Sequence, residues 1–338
     1  MAVNTFTPQP AIPTSYGFTA GKNKIINGDF GVWQRGTSFS NPANNSYVAD
    51  RFYVVYDGTG ATRTISQQTF TPGTAPVAGY EGQYFLRYAK SVAGTGNNDN
   101  LLYQRIEDVR TFAGQTATLS FWAKSAGTTV IKPYILQSFG SGGSADVTVA
   151  NLTPTFTTST SWQRFTVTLN FPSISGKTVG TSSFVLLGLD ITDGTTFTVD
   201  FWGVQLEAGS VATAFQTATG TIQGELAACE RYYWRPSGQS AYAFYGMGVA
   251  ESGTVASILI PTPVNLRNVA TASIDYSNLA VYDASGTLRA VTSMNINHSQ
   301  SNCLQLLAYV ASGLTQYRPA ALLNNNSTSA YLAVSSEL

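Results

Sequence analysis

"QRFTVTLNF", Gln163–Phe171, alternates residue by residue. Phe165, Val167, Leu169 and Phe171 fall on one side of an extended chain, and Thr166, Thr168 and Asn170 on the other. Successive side chains of a strand point to opposite faces, so this stretch has one buried and one wet face, as in an antiparallel sandwich. The same period recurs on both sides of it. Upstream it marks "RFYVVY" (51–56), "ATRTISQQTF" (61–70), "QYFLRYAK" (83–90), "LLYQRI" (101–106), "TATLSFWAK" (116–124) and "TVIKPYIL" (129–136). Downstream come "SFVLLGLDI" (183–191) and "TFTVDFWGVQLE" (196–207). Roughly ten strands in about 185 residues, broken by Gly-, Asn- and Ser-rich turns, predict a two-sheet jelly roll.

The chain of 338 residues has room for a second core. Residues 1–22 hold three prolines and no apolar period, and read as an extended N-terminal arm, either frayed or ordered against a partner. The jelly roll is assigned to 23–217. In "ATGTIQGELAACER" (218–231), Ile222, Leu226 and Cys229 recur at helical spacing, which predicts a short helical linker. Residues 232–338 read as about eight short strands, a second and smaller β-sandwich.

Charged residues are 11% of the chain, and the net charge is zero. Nucleic-acid binding needs cationic surface, so this composition speaks against it. No run of about 18 apolar residues predicts a membrane helix. The first residues lack a charged start and an apolar core, so no secretory signal is read and synthesis in a cytosol is expected. Cys229 and Cys303 are expected to be free. His298 is the one histidine and is expected in a turn; there is no nucleophile elbow, Walker loop or zinc-ligand set. The chain is therefore read as no enzyme.

"NKIINGDFGVWQRG" (23–36) gathers Phe30, Trp33 and Arg35 behind an Asn-Gly turn. We expect Ile25–Phe30 to be the first strand, with Phe30 and Trp33 plugging the end of the sandwich. Arg35 should pair with an acid such as Asp50 or Glu207, making the cluster a structural clasp. Asp29 either meets Asp200 of the last strand around a hard cation such as calcium, or caps its own turn. Trp122, Trp162 and Trp202 sit within strands and are expected in the core. Trp234, Tyr242 and Tyr245 lie near Gly- and Ser-rich breaks and are the candidate carbohydrate contacts.

Five segments, "NKIINGDFGVWQRG", "YVADRFYV", "TLSFWAKS", "WGVQLEAGSVATAFQ" and "ELAACERYYWR", occur in an order that resembles a carbohydrate-binding-module-like β-sandwich of phage and prophage tail fibres and related virion appendages. The resemblance covers about residues 24–235. "IPTPVNLRNVATAS" and "AYLAVSSEL" resemble the domain that often follows, with Val269-Ala270 in place of its usual proline. The resemblance implies a calcium site that would use Asn27, Asp29 and Asp200, though Gly31 stands where such modules commonly have Glu. No other cofactor is implied. It also implies a structural virion protein, a tail fibre or a head fibre or spike on the virion surface. The arm of residues 1–22 would hold other virion proteins, the chain would form a homotrimer, and bacterial surface polysaccharide would be the ligand. The alternative is a decoration or adaptor protein with protein neighbours only. A glycan depolymerase is carried behind both.

Overall fold

The computed structural model describes residues 20–338 apart from 78–79, 97–98, 193, 237–239 and 284–285. Most of the arm expected at 1–22 thus lies outside the described residues. The chain is nearly all β. In the first domain the strands are β1 (Ser38–Ser40), β2 (Tyr53–Tyr56), β3 (Thr62–Thr69), β4 (Tyr84–Val92), β5 (Asn100–Glu107) and β6 (Thr116–Ser125). They continue as β7 (Val130–Ser138), β8 (Val147–Asn151), β9 (Phe156–Thr157), β10 (Gln163–Asn170), β11 (Phe184–Ile191) and β12 (Phe197–Ala208).

These form a jelly-roll β-sandwich. One sheet runs β1-β3-β4-β12-β6-β10, the other β2-β5-β11-β7-β8, with β9 added to β7. Every pairing is antiparallel. The alternation in β10 decides its orientation: Phe165, Val167 and Leu169 pack on the inter-sheet core, and Thr166 and Thr168 face water. Leu119, Phe121, Val185, Leu187 and Phe201 fill the same core from both sheets. Burial of such side chains is worth about 1.5–3 kcal/mol each and is what holds the two sheets together. Trp122 and Trp202 are buried as expected, but on the opposite face of the first sheet, with Phe70, Phe85 and Phe215 and with Trp162 packed against them.

Ile25–Phe30 is not a strand. It is a turn, with Asn27 at φ 61° and Phe30 at φ 56°. The reason lies in β12, whose register shifts between Trp202 and Gln205. That irregularity frees the Val204 N–H to donate to Gly28 O at 2.8 Å. A Cβ at residue 28 would stand 2.1 Å from Val204 O, so only glycine fits the approach.

Helix α1 (Ile222–Glu230) starts at Thr221, whose side chain accepts from Gly224 N. Its face differs from the one the spacing predicts. Ile222 and Leu226 are exposed, and Glu225 and Cys229 are buried. The cause is the Glu225 carboxylate, which accepts from Asn27 N, Thr219 N and the Thr219 hydroxyl. The helix is set by that polar anchor, not by an apolar stripe.

The second domain holds β13 (Tyr233–Trp234), β14 (Phe244–Ala250), β15 (Val255–Pro261), β16 (Ser273–Ser277), β17 (Leu279–Asp283), β18 (Leu288–Ile296), β19 (Cys303–Val310), β20 (Pro319–Asn324) and β21 (Tyr331–Ser335). It is a β domain, but not the expected sandwich. Six strands close into a barrel, β14-β15-β19-β18-β17-β20, and β13-β21-β16 form a separate three-stranded sheet sharing its core. Closure removes free sheet edges from the barrel strands. Both cysteines are free, and His298 is exposed in a bend.

Candidate functional site

The residues expected to hold calcium each have partners in the protein. Asp200 receives Arg87 through two bonds, at 2.7 and 2.9 Å, and Lys124 stands 3.6 Å from it. Two cations already neutralise this carboxylate. The Asn27 side chain is also committed: it donates to Val32 O and Asp50 O and accepts from Val32 N. Asp29 accepts weakly from Gly31 N in its own turn and from the Tyr80 hydroxyl. All three side chains are thus engaged by protein partners in this structure.

Asp29 instead lines a cavity of about 270 Å³ with Tyr80, Tyr84, Glu81, Thr221 and Glu225. Burial, and then the charge of Glu225, pushes its carboxyl above the usual range. Among the described residues no basic side chain lines the cavity, so it does not suit an anion.

The clasp joins the two domains. Phe30 is fully buried against Phe52, with ring centroids 4.8 Å apart. Trp33 donates its ring N–H to Phe30 O at 2.7 Å. Arg35 reaches Asp50 at 3.4 Å and Glu337 at 3.0 Å, and lies 3.5 Å over the Tyr233 ring. Arg51, wholly buried, also pairs with Glu337 and stacks on Tyr232. Gln34 donates to Tyr233 O, and Glu107 accepts from Arg231 and the Tyr232 hydroxyl. Glu207, the other acid considered for Arg35, pairs with Lys22.

Of the candidate carbohydrate contacts, Trp234 is 9% exposed and belongs to the second core, and Tyr245 packs against that core. Neither is free to face a ligand, because the closing barrel and β13 turn them inward. Tyr242 is half exposed in the turn before β14.

A better aromatic surface lies on the outer face of the second sheet of the sandwich. Strand register sets Tyr53 opposite Tyr103, Tyr103 opposite Gly188, Gly188 opposite Tyr134, and Tyr134 opposite Asn151. Their neighbours Leu102, Leu187, Leu189 and Ile135 point into the core, so this row points out. The Tyr103 ring lies across Gly188: a Cβ there would meet Tyr103 Cε1 at 2.2 Å. Tyr103 and Tyr134 are half-buried, with ring centroids 6.1 Å apart and planes 31° from parallel. Tyr53, nearly buried, continues the row at 5.4 Å. Lys132 and Asn151 flank Tyr134, one half-buried and one exposed. Burial, and then Tyr134, raises the Tyr103 phenol well above its usual value, so it stays a neutral hydroxyl. Two neighbouring rings, tilted 31° to each other, with polar groups at their rim form a shelf for a partly apolar ligand. The alternation in "LLYQRI" and "TVIKPYIL" puts each tyrosine on an outer face. What sequence reasoning missed is that β11 joins them through a glycine.

No protein-family model matches the chain, and no curated protein matches it. Solved structures do resemble it in part. A CBM4 structure is 20% identical over 55% of this chain and 100% of its own, with a TM-score of 0.36. The CBM22-1 xylan-binding domain from Paenibacillus barcinonensis is 13% identical over 58% of this chain and 100% of its own, with a TM-score of 0.32. The enzymatically active domain of bacteriophage CBA120 tailspike protein 4 is 14% identical over 56% of this chain and 22% of its own, with a TM-score of 0.36. At these identities and scores the likeness bears on neither ligand nor activity.

Proposed function

We propose that this chain is a structural subunit of a virion appendage, a tail fibre or head fibre, whose sandwich contacts bacterial surface glycans. The observation that carries the glycan reading is the half-buried, outward-facing Tyr103–Tyr134 pair over Gly188. A pyranose ring would lay its C–H face on the two phenol rings, with Lys132 and Asn151 meeting hydroxyls. The proposal calls on no cofactor and no catalytic group. The virion setting rests on the sequence resemblance alone: residues 1–22 would dock on other virion proteins, and copies would gather as a homotrimer.

The test is binding to purified bacterial surface polysaccharides and to a glycan array. The wild-type chain should retain at least one glycan, and a Tyr103→Ala/Tyr134→Ala variant should lose most of that binding while keeping its melting temperature within a few degrees. A wild-type chain that retains none, or a double variant that binds as well as wild type, overturns the glycan reading.

A second reading, a decoration or adaptor protein with protein neighbours only, is favoured by the paired Thr116 hydroxyl and Asn170 amide beside exposed Thr168 on the outer side of β6 and β10. A depolymerase ranks behind both, since Glu107 and Asp200 are each tied up by Arg partners. Undiminished polysaccharide chain length after long incubation would exclude it.

A further inference from the structure

We propose that the outer face of the C-terminal barrel, formed by β15, β14 and β20, is the surface through which copies of this chain associate. Register lays Leu259, Met247, Ala321 and Tyr282 side by side across four strands. Phe244 stands opposite Leu323, and Val249 opposite Pro319. Phe244 is 64% exposed, Met247 65% and Leu259 54%. The barrel has no internal use for them, because Ile258, Ile260 and Leu322 already fill its core.

The area is the right order for an interface. Phe244, Met247, Val249, Leu259 and Tyr282, each roughly half exposed, present on the order of 500 Å² of side-chain surface. That is at the upper end of what a monomer commonly leaves bare, and more than half of the about 800 Å² each partner buries in a standard complex.

Chemistry selects the occupant. "FYGMGVA", "VASILIP" and "PAALLN", the whole of β14, β15 and β20, contain no charged residue. A closed barrel offers no edge for an added peptide strand. The Ser257 hydroxyl already accepts from Gln305, so the face has little with which to read a sugar. Among the described residues, these three strands carry no cation for an anionic lipid surface. A neutral apolar face is complementary to itself, and a chain of zero net charge meets its copy without repulsion. The inference stands whether or not the tyrosine shelf binds glycan.

The experiment is the solution mass of the full-length chain by sedimentation across a concentration series, beside Met247→Glu/Leu259→Glu. Wild type should assemble, and the variant should sediment as a monomer with unchanged circular dichroism. Met247 oxidation by hydroxyl radicals gives a readout that needs no variant, and it should slow as wild-type concentration rises. A monomeric wild type, a variant that stays assembled, or an oxidation rate indifferent to concentration overturns the proposal. So does wild type that floats with neutral phosphatidylcholine vesicles in place of assembling.

Discussion

Gly188 carries more of the shelf than either tyrosine, because its missing side chain is what the Tyr103 ring occupies. Gly188→Ala should push that ring off β11 and overpack the face, at a cost of about 1–3 kcal/mol. Binding to any glycan the shelf holds should fall as far as in Tyr103→Ala. Urea unfolding checks the first statement and a titration the second; a variant with unchanged stability would mean that the ring has another place to lie. The role of this glycine was hidden in the sequence, because a glycine inside "SFVLLGLDI" reads equally as a bulge. Asp29 was more legible. Its carboxylate accepts from Gly31 N in the Asn-Gly turn, one of the two readings its position allowed. The ion partners of Asp200 were not legible, because its cross-strand neighbours, Arg87 and Lys124, lie far away in sequence and only pairing brings them close.

At the scale of elements, period-2 alternation located the long strands of the first domain to within a few residues, because burial on one face enforces it; in the second domain most of β18 escaped it, since Leu288–Ser293 carries little apolar alternation. β1, β8 and β9 went unread: they have two to five residues each and little apolar pattern. Helix α1 is the instructive miss. Its position was legible, but its buried face was not, because a carboxylate with three donors outranks two leucine-sized side chains with nowhere to pack. Ile222→Ser should therefore change stability by no more than about 0.5 kcal/mol. Glu225→Ala should cost about 1–3 kcal/mol, since it strands the Asn27 and Thr219 N–H groups. Thermal unfolding of the two variants side by side decides it, and the reverse order would restore the apolar-stripe view of the helix.

Across the whole molecule, the seam between domains concentrates charge where little water reaches. Arg35, Arg51, Asp50 and Glu337 are all buried or nearly so. Neither the seam nor barrel closure could be read from the chain, since both depend on contacts such as Arg35 with Glu337, about three hundred residues apart. Burial pushes Asp50 up to about 6, against the pull of Arg35 and Gln34. Between pH about 4 and about 6 the folded chain keeps a proton on Asp50 that the unfolded chain has released. Stability from this group is therefore full below that window and declines as pH rises through it, by on the order of 2–3 kcal/mol. Asp29, Asp190 and Glu230 are also pushed up by burial, so the chain as a whole should slope the same way. Glu207 slopes oppositely: burial works against it, but bonds from Thr213 and Gln205 hold it low, so its contribution fades only at more acid pH. The difference between wild type and Asp50→Asn isolates the one group. The two should unfold alike near pH 4, and the variant should be the more stable at pH 7, because an amide carries no charge into the seam. Denaturant midpoints at the two pH values measure this. A variant less stable than wild type at pH 7 would show that the Arg35 pairing outweighs the burial of Asp50, and that the seam is held by its charges rather than strained by them.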